Sequence, residues 1–153
     1  MSHKSTTSLE LFDKDALRDA LTELGVVFQE DATWVAYDRA QSTPCDLMVP
    51  HKGNERMMGQ HMWSGGVGFS NEAGHLVLVM DDLDKTRPQV AEFLTRFKRA
   101  YTEKAAANLL ASYGYRITKQ ADGTYRASAT TKTVAMLSKQ QAGAKQVQQV
   151  GRY

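Results

Sequence analysis

Val67-Gly68-Phe69-Ser70-Asn71-Glu72-Ala73-Gly74-His75-Leu76-Val77-Leu78-Val79-Met80 is the stretch on which the fold turns. Residues 67–70 and 75–80 read as two strands, and Asn71-Glu72-Ala73-Gly74 between them has the small and polar residues of a hairpin turn. Residues 75–80 are apolar on both faces, which predicts a strand inside the sheet. A helix signal follows at once. Thr86 is placed to cap, Pro88 falls in the first turn, and Gln89 lies three residues after Thr86. Val90, Phe93, Leu94, Phe97, Tyr101, Ala105 and Leu109 then recur at helical spacing until Gly114. A hairpin running directly into a long helix indicates segregated strands and helices, the α+β class.

The remaining elements lie on either side of this stretch. After the helix, Tyr115–Lys119 and Thr124–Ala129 flank Ala121-Asp122-Gly123 and predict a second hairpin. Before the first hairpin, Ser5–Leu11 reads as an opening strand. Asp13 can cap a helix carrying Ala16, Leu17, Ala20, Leu21 and Leu24 on one stripe, ended by Gly25. Val26–Gln29 and Thr33–Asp38 read as strands, Ser42-Thr43-Pro44 as a loop, and Cys45–Val49 as a strand stopped by Pro50. The expected architecture is a single α+β domain over residues 1–132, an antiparallel or mixed sheet with two helices on one face. A basic, Gln-rich tail over residues 133–153, a flexible or helical arm, is expected to follow.

The 153 residues suffice for a core without disulfides. A single cysteine, Cys45, rules out an internal disulfide, and residues 1–8 lack the apolar stretch of a signal peptide. The longest apolar run, Leu76–Met80, is too short to span a bilayer. These features predict a cytoplasmic protein with no membrane association. Charge is unevenly spread. Residues 1–113 hold 12 Lys/Arg against 16 Asp/Glu, whereas residues 114–153 hold 7 Lys/Arg against Asp122 alone. Isolated cations of this spacing suit a solvated tail, or an acidic partner.

Residues 51–66 stand apart. They lack periodicity, yet place Met57, Met58, Met62 and Trp63 among polar neighbours. So long an irregular stretch in a small domain points to function or mobility. Flexible thioethers beside an indole suit a partner surface, and they equally suit a segment folded back on the core. The other constellations are weaker. Asp81, Asp82 and Asp84 could hold Mg²⁺, but acids at the start of a helix also complement its dipole without a metal. Gly65-Gly66-Val67-Gly68 is followed by a strand, not by the helix a phosphate-binding loop needs. His3, His51, His61 and His75 lack metal-ligand spacing. No catalytic residue, metal site or cofactor is assigned.

Several local runs together resemble an uncharacterised family. They are Met1-Ser2-His3, Asp15-Ala16-Leu17 through Leu24-Gly25, Cys45-Asp46-Leu47-Met48-Val49, Gly66-Val67-Gly68-Phe69, Gly74 through Asp81, and Gly114-Tyr115 with Asp122-Gly123. The family is domain of unknown function twelve fifty-seven, which includes hypothetical chloroplast reading frame thirty-five and members in tailed bacteriophages. The resemblance covers roughly residues 1–130 and departs at Lys4, at Gly66-Val67, in the long 51–66 loop and in the tail. It implies a phage, cyanobacterial or plastid setting (a host cytoplasm, if phage-encoded) and an accessory role. It brings no catalytic residue.

Three functions remain in view. The first is a non-enzymatic accessory or binding module that uses Met57, Met58, Met62 and Trp63 on a protein partner or a second copy of the chain. The second is a small nucleic-acid-binding protein using Arg116, Lys119, Arg126, Lys132, Lys139, Lys145 and Arg152, with Tyr115 or Tyr125 stacking on bases. The third is a small metal- or nucleotide-dependent enzyme.

Overall fold

The computed structural model describes residues 4–129 apart from 10, 37, 38 and 40. The expected tail, with Lys132, Lys139, Lys145 and Arg152, lies outside the described residues. Contacts divide the chain into two compact units, one ending at Ala105 and the other beginning at Ala106.

The first unit is built on a five-stranded sheet in the order β1-β5-β4-β3-β2, with every pairing antiparallel. The strands are β1 (Lys4–Leu9), β2 (Gln29–Val35), β3 (Ser42–Pro50), β4 (Gly66–Glu72) and β5 (His75–Asp81). The helices are α1 (Lys14–Glu23), the single turns α2 (Glu55–Met58) and α3 (Asp82–Lys85), and α4 (Pro88–Ser112), which continues into the second unit. The α+β class and the antiparallel sheet are as the sequence predicts. β5 lies between β1 and β4, an interior place that accounts for its apolar residues on both faces.

Helices α1 and α4 bury their stripes in one core with Leu47, Phe69 and Leu78, the inward side chains of β3, β4 and β5. Asp13 caps α1, its carboxylate accepting from the Ala16 N–H at 3.0 Å. Phe97 is fully buried, its ring 4.8 Å from Phe69 and 5.6 Å from Tyr101. The α4 stripe is buried from Val90 to Ala105, but Leu109, expected on it, is exposed. The opposite sheet face carries a smaller cluster of Trp34, Ala36, Cys45, Met48, Val77 and Val79. Gly68 makes room for it: a Cβ there would lie 2.4 Å from the Cys45 sulfur.

Four local expectations are corrected. Residues 26–28 form no strand, because Asn54 takes the place of a strand partner: its side chain accepts from the Val27 N–H and donates to the Val27 carbonyl, both at 2.8 Å. β3 begins at Ser42 and includes Pro44, which is tolerated because β3 pairs with β4 only from Leu47 onward. The first hairpin turn is tighter than expected. Glu72 pairs with His75, so only Ala73 and Gly74 turn, both at positive φ as a primed turn requires. Thr86 does not cap α4. It ends α3, with its hydroxyl donating to the Leu83 carbonyl.

The second unit holds the end of α4 and a two-stranded hairpin, β6 (Tyr115–Lys119) and β7 (Tyr125–Ala129). Gln120 and Thr124 close its turn, and Gly123 takes the left-handed position at φ 87°.

Candidate functional site

Residues 51–65 connect β3 to β4 as a closed loop. Its base is fixed by the Pro50–Gly66 pairing and by the His51 N–H, which donates to the Gly65 carbonyl at 2.7 Å. Side chains then tie the loop down at several points. Asn54, buried, binds Val27 and donates to the Pro50 carbonyl. The His51 ring lies 2.7 Å from the Gly59 carbonyl through Nε2. Glu55 accepts from the Gly53 N–H, and backbone donors hold its carboxyl below the usual range.

The strongest tie comes from outside the loop. Asp84, on α3, is fully buried. Its Oδ1 accepts from the Trp63 N–H at 2.5 Å, and its Oδ2 accepts from the Ser64 N–H and hydroxyl, both at 2.8 Å. A carboxylate sealed from water costs free energy unless it is hydrogen-bonded, and here three donors reach it. Arg87 Nε lies 3.6 Å from Asp84 Oδ1, near enough for charge attraction but too far for a hydrogen bond, and that nitrogen is buried without an acceptor. The Arg87 guanidinium sits 6.0 Å from the Trp63 ring centroid, within cation–π range.

The four side chains expected to form a contact surface are dealt different places. Met58 is 1% exposed in the main core, and Met57 and Met62 pack against that core. Trp63 is 40% exposed. Two hollows adjoin the loop's second half. One, about 420 Å³, is lined by Met58, Gln60, His61, Arg87, Pro88 and Gln89 among others. The second, about 400 Å³, is lined by Val35, Arg39, Met48, Trp63 and Ser64 among others. Each hollow thus has an arginine in its wall beside apolar surface.

Asp84, Ser64, Arg87 and Arg39 are the site residues the sequence reading missed. In the sequence Asp84 stands with Asp81 and Asp82 as one of three acids at a helix start. Asp81 fits that reading, since its side chain caps α3 by accepting from the Leu83 N–H. Asp84 instead reaches the loop twenty residues earlier, a long-range pairing for which the sequence carries no local signal. Among the described residues no group of three or more His, Cys, Asp or Glu side chains is placed to hold a metal ion.

The basic residues of the hairpin fall on opposite faces. The pairing sets Arg116 opposite Ser128 and Arg126 opposite Thr118 on one face. Tyr115, Ile117, Lys119, Tyr125, Ala127 and Ala129 share the other, where the Lys119 ammonium lies 5.7 Å from the Tyr125 ring. Among the described residues no helix is long and apolar enough to cross a membrane. Comparison of the chain with protein-family models, curated proteins and solved structures finds no match.

Proposed function

We propose that the chain is a non-enzymatic accessory module that binds a protein partner through Trp63, and that the partner segment it receives is acidic. The observation that carries this reading is Trp63 itself. Its backbone is fixed by a fully buried carboxylate while its indole stays 40% exposed. An aromatic anchor held in place loses little conformational entropy on binding, which is why rigid Trp side chains are frequent hot spots. Arg87 and Arg39, in the walls of the two hollows, supply positive charge on either side. The three methionines then act as the loop's foundation, and Trp63 alone of the four makes the contact.

The reading is tested by putting a photo-crosslinking amino acid at position 63 and irradiating the full chain in an extract of its native source. The expected result is a discrete adduct whose linked peptide is acidic. Excess unmodified chain should compete it away, and excess Trp63→Ala chain should not. Equal competition by both chains would reject Trp63 as the anchor.

Nucleic-acid binding is the second reading, and the face shared by Arg116 and Arg126 is what favours it. On that reading, affinity for single-stranded nucleic acid falls steeply with salt, and Arg116→Ala with Arg126→Ala flattens that dependence. Absence of binding at low salt removes it.

A further inference from the structure

We infer that the 420 Å³ hollow lined by His61, Arg87 and Gln89 is a binding site for a phosphate monoester, with Arg87 as its principal cation. A hollow of that volume falls in the size range of small-ligand sites.

Arg87 carries the argument. Its side chain is only 35% exposed, and its Nε is buried without an acceptor. Asp84 Oδ1 stands 3.6 Å from that nitrogen, and both Asp84 oxygens already accept from Trp63 and Ser64. A buried donor left unmade is costly, and a guanidinium cannot shed its charge to lower that cost. An anion seated in the hollow that Arg87 lines would supply what Asp84 does not.

The rest of the wall agrees in sign. No acidic side chain lines the hollow, whereas His61, Gln60 and Gln89 add groups that can donate. Gln89 is held in the wall by its packing on Gly59, where a Cβ would come 2.2 Å from the Gln89 Oε1. The positive end of the 25-residue helix α4 lies here too, with no acid in its first turn. Its first bonded amide is Ala91, which donates to the Arg87 carbonyl, so the Gln89 and Val90 N–H groups precede the helical ladder.

The shape of the donor set selects the anion. A carboxylate presents two oxygens in one plane. A phosphate monoester presents three around a tetrahedron and carries a charge of about −1.5 to −2 at neutral pH. A guanidinium fork, an imidazole and side-chain and backbone amides from two separate segments, 59–61 and 87–89, suit the second. Met58 and Pro88 add apolar wall for the carbon that bears the ester.

Titrating the isotopically labelled full chain with phenyl phosphate, at constant ionic strength, tests this by nuclear magnetic resonance. The Gln89 and Val90 amides should shift saturably, and acetate at equal concentration should not shift them so. Arg87→Gln should weaken binding roughly tenfold or more, and Gln89→Glu should do the same by putting a like charge in the wall. The second variant keeps the test clear of folding, because an acid in the first turn of α4 should leave the melting temperature equal or higher. A blocked phosphoserine tripeptide separates the two bearers: tighter binding than phenyl phosphate places the ester on a protein side chain, weaker binding on a small molecule. No crosslink at position 63 enters this titration, so the site and the Trp63 anchor can fail independently. No saturable shift, an equal response to acetate, or unchanged affinity in a folded Gln89→Glu chain would each overturn the proposal.

Discussion

Tyr101 shows how much one hydroxyl can hold in this fold. It projects from α4, donates to the Leu11 carbonyl and accepts from the Asp13 N–H at 3.0 Å. It thereby ties the chain entering α1 to the long helix, across some ninety residues of sequence. Burial pushes its phenol above the ordinary range, so it is neutral throughout physiological pH. Tyr101→Phe keeps the ring stack on Phe97 and strips both backbone groups of their partner. Chemical denaturation should show a loss of about 1–3 kcal/mol; no loss would mean that water replaces the hydroxyl. Asp122 supports a pH prediction. Its carboxylate accepts from the Thr124 hydroxyl and N–H, and these donors hold its pKa below the usual value. A depressed folded pKa means the support is fully present above the unfolded value, about 3.9, and is lost as pH falls through the lower folded value. The Thr124 amide resonance should therefore titrate with a midpoint below that of an ordinary aspartate. A midpoint at or above the ordinary value would show the contact absent.

Among the elements, α4 carries the core. Phe97 stacks between Phe93 and Tyr101 and tilts onto Phe69 of β4, so it couples helix to sheet. Phe97→Ala should cost about 3–5 kcal/mol, measured by urea unfolding. Leu109→Ala, on the same stripe but exposed, should cost well under 1 kcal/mol, within the range of surface changes. Equal costs would mean the stripe is buried to its end. The periodicity of α4 was legible because consecutive buried turns repeat a local pattern. Its exposed end was not, because an apolar stripe does not say how far the surface it packs on extends. Asn54 makes the same point for strands. Val26 to Phe28 have β-forming side chains, yet the Val27 backbone takes both its bonds from an amide twenty-seven residues away.

At the scale of the whole molecule, the main sheet sets the site. Strands β3 and β4 close the base of the 51–65 loop, and β5 delivers Asp84 on the turn of helix that follows it. The loop was conspicuous in the sequence through its length and its Met and Trp content. Its internal division, with methionines turned inward and the indole outward, was not legible, since it depends on which side chains the core can accept. As an anchor, Trp63 must be held rather than merely exposed. Hydrogen exchange at the Trp63 and Ser64 amides is the direct measure. Both should exchange slowly in the wild type, as buried amides bonded to a carboxylate do. In Asp84→Ala both should become fast, while amides of the β4–β5 ladder stay protected. Fast exchange at 63 and 64 in the wild type would contradict the account, because a slack loop would have no fixed anchor to offer.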